Sequence, residues 1–121
     1  RDLPKTDMGW DVEPAGLREA INLVSDYAPN LPLYITENGM ASKNAIADID
    51  RIEYYKQHLN EVAKASETLP IKGYFAWSLL DNFEWALGYD KRFGLVHVDY
   101  ETQKRTMKDS FKWWQRELAK K

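Results

Sequence analysis

Two short apolar segments, separated by a helical pattern, constrain the fold of this chain more than any other feature of its sequence. Residues 33–36 are a β-branched and aromatic run that follows Pro32, and residues 71–80 are a second apolar run that follows Pro70. Both runs are too short for typical helices and are flanked by residues that break helices. They therefore predict two strands that are buried on both faces.

Helical spacing of apolar residues predicts three helices around and between these strands. The first spans about residues 14–28 and has Pro14 in its first turn. The second spans about residues 50–66, where Asp50 is placed to cap the helix and Glu53 follows three residues later. The third closes the chain, with Met107, Phe111, Trp114 and Leu118 as its apolar positions and with Lys120 and Lys121 near its C-terminal dipole.

The region between the second strand and the last helix follows neither the helical nor the strand period. Residues 81–94 mix aromatic and charged side chains, which predicts a long loop. Residues 95–100 predict a short extended piece that ends before a turn at Glu101 and Thr102.

The order helix, strand, helix, strand, helix predicts an α/β fold with parallel strands, because the connections are too long for hairpins. Two parallel strands alone leave both sheet edges unpaired and their apolar faces uncovered. The chain of 121 residues is also about half as long as the ~250 residues of a typical (β/α)8 barrel. We therefore expect residues 1–121 to be a single partial domain that belongs to a larger sheet or barrel.

Composition excludes several kinds of partner and cofactor. The formal charge of −2 comes from interspersed acidic and basic residues, so no basic stripe for nucleic acid or anionic lipid is present. No stretch approaches the ~20 apolar residues of a membrane-spanning helix. The sequence has no cysteine and only two histidines, His58 and His97, so we predict no metal site and no cofactor. No signal-peptide pattern is seen, which leaves a cytoplasmic location as the default expectation.

The candidate site lies at the ends of the two predicted strands, because ligands of parallel α/β proteins bind at the C-terminal ends of strands. Glu37 directly follows the first strand, which predicts a fixed and partly buried carboxylate. The end of the second strand combines indole rings with hydrogen-bonding groups: Trp77, Asp81, Asn82, Glu84 and Trp85. Sugars match this combination, since a pyranose ring stacks on an aromatic face and its hydroxyls bind carboxylates and N–H donors.

At these two strand ends the sequence resembles glycoside hydrolase family 1. Residues 34–39, Tyr-Ile-Thr-Glu-Asn-Gly, match the nucleophile motif of that family. Residues 73–85, Gly-Tyr-Phe-Ala-Trp-Ser-Leu-Leu-Asp-Asn-Phe-Glu-Trp, match its eighth-strand motif, which is long and specific. The resemblance continues through residues 92–105 and begins upstream at residues 8–10, so it covers nearly the whole chain.

The resemblance implies a fold, a reaction and a role for each site residue. The fold is the C-terminal segment of a TIM (β/α)8 barrel, comprising about strands 7 and 8 with helices 6 to 8. The reaction is hydrolysis of terminal β-D-glucosides or related β-glycosides with retention, in which Glu37 is the nucleophile. Trp77 is expected to form the floor of the sugar site, Glu84 to bind the O4 and O6 hydroxyls and Trp85 to donate to O3. Phe93 is expected to line the entrance.

One part of the family's machinery does not occur in this sequence. A retaining glycosidase needs a second carboxyl about 5 Å from the nucleophile, and the family places it in an Asn-Glu-Pro motif after the fourth strand. The pair Glu13–Pro14 lacks the preceding asparagine and opens a helix, so we do not assign it this role. The acid/base is expected from a complementary N-terminal barrel segment, and the chain alone is expected to be inactive.

The resemblance and the residues leave several alternatives open. The chain alone is alternatively a folding or assembly unit that self-associates or docks on a complementary segment without catalysing anything, and a non-catalytic sugar-binding module is a weaker third hypothesis. The carboxylate of Glu84 would repel a phosphate dianion, which favours unphosphorylated β-glucosides or β-galactosides over 6-phosphorylated sugars. Trp113 and Trp114 are predicted to be core residues, and His58 and His97 to be structural or solvated.

Overall fold

The computed structural model describes residues 2–120, which form a small α/β unit. Two strands, β1 (Leu33–Asn38) and β2 (Ile71–Ala76), are parallel neighbours. Helix α1 (Pro14–Tyr27) precedes β1, and helix α2 (Ile49–Ser66) connects the two strands. The rest of the unit comprises a 3-10 turn (Trp85–Leu87), an antiparallel hairpin of β3 (Val96–Val98) and β4 (Arg105–Met107), and helix α3 (Asp109–Leu118). The predicted parallel α/β arrangement is therefore confirmed.

The pairing of β1 with β2 places their C-terminal ends side by side. Tyr34 is opposite Gly73, and Asn38 is opposite Ala76. One further bond extends this alignment, because the backbone N–H of Trp77 donates to the carbonyl of Asn38 at 2.8 Å. Side chains from both strand ends therefore meet at one edge of the sheet.

The prediction that both strands are buried on both faces is wrong for residues 2–120. Helices α1 and α2 cover one face, where Ile21 and Val62 pack with Ile35. Alternate residues of a strand point to the opposite face. On that face Tyr34 is 58% exposed and Phe75 is 57% exposed.

The second strand is shorter than the predicted run of residues 71–80, because the chain changes its pairing partner after Ala76. The N–H of Ser78 donates to the carbonyl of Phe93 at 3.1 Å, and the N–H of Leu95 donates to the carbonyl of Ser78 at 2.8 Å. Leu80 then forms a parallel bridge with Val96. Apolar composition alone does not reveal this exchange of partners.

The predicted capping of α2 by Asp50 is also wrong. The helix begins at Ile49, and the residue before it, Asp48, makes no side-chain capping bond. Asp50 instead accepts hydrogen bonds from Ser42 (2.7 Å) and Asn44 (3.1 Å) in the preceding loop. Burial alone would raise the pKa of Asp50, but these bonds, together with the backbone N–H and the charge of Arg51, lower it.

The last helix begins later than predicted, and Met107 belongs to strand β4 rather than to α3. The core assignment of the two indoles is confirmed. Trp113 is buried, and Trp114 packs edge-to-face on Tyr55 with ring centroids 5.3 Å apart. Lys121, predicted to lie near the dipole of this helix, is outside the described residues. Within residues 2–120, no helix is both long enough and apolar enough to cross a bilayer.

Candidate active site

A cleft of about 500 Å³ opens at the C-terminal ends of β1 and β2. It contains all five residues to which the resemblance assigns a role, together with four others. Its walls are formed by Trp10, Glu37, Asn38, Gly39, Tyr54, Trp77, Glu84, Trp85 and Phe93. The structure thus brings together residues that lie far apart in the chain.

Glu37 lies near the end of β1 with its side chain at the cleft. It is exposed, so the expectation of a partly buried carboxylate is wrong for residues 2–120. Among these residues no side chain or backbone N–H donates to the Glu37 carboxylate. The carboxylate therefore lies at the cleft without a hydrogen-bond partner among these residues.

Asn38, the residue after Glu37, is held in place by two tyrosines. The Tyr74 hydroxyl donates to Asn38 Oδ1 at 2.6 Å, and Asn38 Nδ2 donates to the Tyr54 hydroxyl at 3.2 Å. Burial raises the pKa of both tyrosines, so their hydroxyls remain protonated at neutral pH. This clamp fixes the backbone next to Glu37.

Gly39 and Trp77 join the two strand ends at very close range. A Cβ added to Gly39 would lie 1.8 Å from the carbonyl oxygen of Trp77, which only glycine avoids. The same carbonyl accepts a hydrogen bond from the Tyr55 hydroxyl at 3.1 Å, and the Trp77–Ser78 peptide bond is cis. The indole of Trp77 is thereby held beside the Glu37 segment.

Glu84 and Trp85 lie on a tight turn above the strand ends. The Glu84 N–H donates to the Gly88 carbonyl at 2.6 Å, and the Leu87 N–H donates to the Glu84 carbonyl at 2.8 Å. Trp85 has a φ of 45°, a left-handed conformation that is uncommon outside glycine, and its side chain is 81% exposed. The turn therefore presents an indole face and a carboxylate to the same cleft.

Phe93 also lines the cleft and is only 2% exposed. Its ring lies 6.1 Å from that of Trp10, at an angle of 48°. Sequence reasoning did not assign Trp10, Asn38 or Tyr54 to the site. The sequence offered a reason to assign Trp10 to the site, since it belongs to the motif at residues 8–10. It offered none for Tyr54, which follows the ordinary helical pattern of α2.

Asp81 is not available to a ligand, which corrects its inclusion among the sugar-binding groups. Its carboxylate is buried and accepts bonds from Lys108 Nζ at 2.8 Å and Arg92 Nη1 at 2.9 Å. The backbone N–H groups of Gly94 and Val98 also donate to it. Burial alone would raise the pKa of Asp81, but these bonds, that to Lys108 foremost, lower it. Asp81 holds the segment behind the cleft.

A buried arginine of α2 connects the two loops that border the cleft. Arg51 donates to the carbonyls of Met40, Phe93 and Arg92, the last two at 3.0 and 2.9 Å. Its Nε also pairs with Asp48 at 2.7 Å, and neither side chain is exposed. Asp48 in turn accepts a 2.6 Å bond from the Ser110 hydroxyl at the start of α3. We refer to these contacts of Arg51 and Asp48 as the Arg51 clamp.

The described residues contain no group of three or more histidine, aspartate or glutamate side chains arranged to hold a metal ion. His58 has a structural role, as expected. It is buried, stacks on Tyr54 at 3.8 Å between ring centroids and has Nδ1 2.7 Å from the Tyr54 carbonyl, to which this nitrogen donates. Burial lowers the pKa of His58 and favours its neutral form.

The fold and the cleft together define an α/β protein with a cleft at the C-terminal ends of parallel strands. The chain belongs to glycosyl hydrolase family 1, because the model of that family matches residues 1–121. The resemblance that the motifs carried is therefore confirmed.

Curated relatives in this family include β-glucosidases and 6-phospho-β-galactosidases. The chain is 50% identical to β-glucosidase A of Thermotoga maritima over 94% of its length, and 48% identical to a bifunctional β-D-glucosidase/β-D-fucosidase of Bifidobacterium breve over 96%. It is also 48% identical to a 6-phospho-β-galactosidase of Streptococcus equi subsp. zooepidemicus over 99%. The chain spans only 27–28% of the length of these relatives.

The solved structures point to the same fold. A family 1 β-glucosidase from Thermotoga maritima superposes on 98% of the chain with a TM-score of 0.93 and 49% sequence identity, and the match covers 28% of that structure. The same enzyme has been solved with isofagomine lactam and with cyclophellitol bound, again with a TM-score of 0.93. These neighbours are TIM barrels, so residues 2–120 have the fold of one part of such a barrel.

Proposed function

We propose that this chain supplies the nucleophile and the inner sugar subsite of a retaining β-glycosidase, with β1 and β2 as the seventh and eighth strands of a TIM barrel. The observation that carries the proposal is the cleft itself. It gathers the carboxylate of Glu37, which has no hydrogen-bond or ion-pair partner among residues 2–120, with the indoles of Trp77 and Trp85 and the carboxylate of Glu84. Such a site offers a nucleophile and sugar-binding surfaces together.

In the proposed reaction, a Glu37 oxygen attacks the anomeric carbon and forms a glycosyl ester while the bond to the leaving group breaks. The open surroundings of Glu37 leave its carboxylate free to do so. A carboxyl group on a complementary N-terminal barrel segment protonates the leaving oxygen and then activates the water that releases the sugar. Trp77 stacks on the ring, Glu84 accepts from O4 and O6, Trp85 donates to O3, and Phe93 lines the cleft.

We propose unphosphorylated β-glucosides or β-galactosides as substrates. The relatives include 6-phospho-β-galactosidases, so family membership alone does not decide between the two sugar classes. In this proposal Glu84 meets the sugar's O6, and its carboxylate repels a phosphate at that position. We further propose a cytoplasmic location and no nucleic acid or membrane partner.

A mechanism-based label tests the nucleophile. The chain, alone and combined with the complementary barrel segment, is treated with a 2-deoxy-2-fluoro glucosyl donor, and the adduct is located by peptide mass analysis. We expect a label on Glu37 in the combined sample and none with Glu37→Gln. Glu19→Gln, a substitution at an exposed position on α1, is the matched control and should label normally. A label on another residue, or no label in the combined sample, contradicts the assignment.

A second candidate function is assembly without catalysis by the chain itself. The exposed face of the β1–β2 sheet favours it, because Tyr34 and Phe75 present apolar surface that a partner would cover. The label distinguishes the two functions, since an assembly unit that lacks a catalytic role yields no adduct on Glu37 in the combined sample.

A further inference from the structure

Asn82 lies between the second strand and the turn that presents Glu84, and it is the residue best placed to orient that carboxylate. Its Nδ2 donates to Glu84 Oε2 at 2.9 Å. Its own backbone carbonyl accepts a hydrogen bond from the Tyr100 hydroxyl at 3.3 Å. Asn82 is half-buried and is held by the fold while its amide reaches toward the cleft.

The orientation of the Asn82 amide follows from the chemistry on both of its sides. An ionised carboxylate only accepts hydrogen bonds, so the NH2 group must face Glu84. The amide oxygen then faces Ser78, whose Oγ lies 3.3 Å away. That hydroxyl has a single hydrogen and lies closer to the Leu80 carbonyl, at 2.7 Å. Ser78 therefore lies against the amide oxygen without competing for the NH2 group.

Glu84 has few other constraints on its side chain. Its backbone is closed into the turn by bonds with Gly88 and Leu87. Among residues 2–120, Asn82 provides the one side-chain hydrogen bond to the Glu84 carboxylate. That bond occupies Oε2 and leaves Oε1 free for a ligand. Without it, the carboxylate would rotate about its terminal torsion, which is broad and only loosely restricted.

We propose that Asn82 is a positioning residue that sets sugar specificity by fixing Glu84, so that one oxygen of Glu84 is always presented to the O6 and O4 hydroxyls of the sugar. The inference rests on the proposed function, in which Glu84 binds these hydroxyls. Asn82 itself does not touch the sugar. Its effect is the discrimination between sugars that have these hydroxyls and sugars that lack them.

The test measures kcat/KM for a 4-nitrophenyl β-glucoside and for its 6-deoxy analogue in the assembled enzyme. We expect Asn82→Ala to lower the ratio of kcat/KM for the glucoside to kcat/KM for its 6-deoxy analogue about tenfold, because the hydrogen bond from O6 depends on a fixed Glu84 carboxylate. A general loss of folded protein lowers both values equally and leaves the ratio unchanged. Asn60→Ala, at an exposed position on α2, is the matched control and should not change the ratio.

Two further variants keep the test decisive. Asn82→Asp preserves the shape of the side chain but places a like charge beside Glu84, and we expect it to lower the ratio at least as much as Asn82→Ala. In a Glu84→Ala background, the ratio is already low and Asn82→Ala should lower it no further, since both substitutions act through one contact.

An unchanged ratio in both Asn82 variants overturns the inference, and so does a full additional loss in the Glu84→Ala background. If neither Asn82 variant folds, Asn82 serves the fold rather than specificity, which also overturns it. The trapping label on Glu37 is measured in each variant. A missing label in the unsubstituted enzyme contradicts the proposed function, whereas a normal label with an unchanged ratio contradicts only the role of Asn82.

Discussion

Gly39 is the residue at which the two strand ends of the cleft come closest together. Its α-carbon faces the carbonyl of Trp77, and Tyr55 donates to the same carbonyl from α2. Any side chain at this position would separate Glu37 from Trp77. The requirement is for space rather than for an unusual backbone angle, since the positive φ glycines of the structure are Gly9 and Gly88.

We expect Gly39→Ala to lower the free energy of unfolding by about 3 kcal/mol, because the added methyl group forces the two strand ends apart. Chemical denaturation measures the loss. Gly16→Ala is the matched control, since its Cβ would meet Glu13 at an ordinary 3.8 Å within α1. Alanine there should raise the free energy of unfolding by about 0.5–1 kcal/mol. Equal effects at both positions would contradict the close approach.

Asp81 makes the free energy of unfolding depend on pH in the acidic range. Its pKa is lowered in the folded state, so its stabilisation is present above the unfolded pKa of about 3.9 and is lost as the pH falls through the folded pKa. We expect Asp81→Asn to destabilise the fold at pH 7 and the difference from the unsubstituted chain to shrink as the pH falls below about 4. Unfolding curves recorded from pH 7 to pH 2 measure this difference in stability. A difference that is constant with pH contradicts this role.

The partner of Asp81 provides the control. Burial, together with the charge of Arg51, lowers the pKa of Lys108 although its bond to Asp81 acts in the opposite direction. Asp81→Asn therefore leaves a buried charge that has lost its counter-ion. Adding Lys108→Met removes that charge, and the double variant should regain part of the lost stability.

The sequence predicts the role of a candidate site residue where a motif contains that residue. It does not predict the role where contacts with residues far along the chain determine it. Glu37 and Glu84 lie inside long motif matches, and the structure places both at one cleft. Asp81 lies inside the same motif as Glu84, but its partners Arg92 and Lys108 come later in the chain and hold its carboxylate in the interior. The sequence contains no local pattern that distinguishes these two carboxylates.

At the scale of elements, periodicity predicts the helices and the parallel strands, but it does not predict where they end. Helix α1 and strand β1 end within two residues of their predicted limits. Strand β2 ends four residues early because residues 78–80 pair with the segment that leads into β3. Strand β4 was not predicted, because a strand of three residues is too short to show an alternating apolar pattern. Its existence depends on its pairing with β3.

Helix α2 connects the elements by its buried polar groups, which gives a prediction at this scale. We expect Arg51→Met to lower the free energy of unfolding by about 3–5 kcal/mol, because Asp48 and three carbonyls lose their buried partner. Lys56→Met, an exposed position on the same helix, is the control and should change stability by less than about 0.5 kcal/mol. Denaturant titration compares the two, and similar small losses would show that the clamp contributes little.

At the scale of the whole molecule, the open face of the sheet determines how the chain behaves by itself. Strands β1 and β2 present Tyr34 and Phe75 to solvent, and Leu118 at the end of α3 is 76% exposed. Exposed apolar surface of this kind promotes association. The sequence predicted that the chain needs a partner, because two strands alone cannot form a covered sheet. It did not reveal which face of the sheet is open.

We expect the isolated chain to associate, and Phe75→Lys to weaken that association about tenfold by placing a charge on the apolar face. Sedimentation over a range of concentrations measures the dissociation constant. Tyr27→Lys is the control, since Tyr27 is highly exposed on α1 and lies away from the open face. Association that is unchanged by Phe75→Lys, or weakened equally by Tyr27→Lys, contradicts a role for this face.

The Arg51 clamp has a consequence for how the cleft tolerates sequence change. Arg51 binds the carbonyl oxygens of Met40, Arg92 and Phe93, and every amino acid has a carbonyl oxygen. The bonds from Arg51 to both loops are therefore independent of the side chains at those three positions. Residues facing the cleft are able to vary while Arg51 still anchors the loops that carry them, so the lining of the cleft is able to diverge without rebuilding this support.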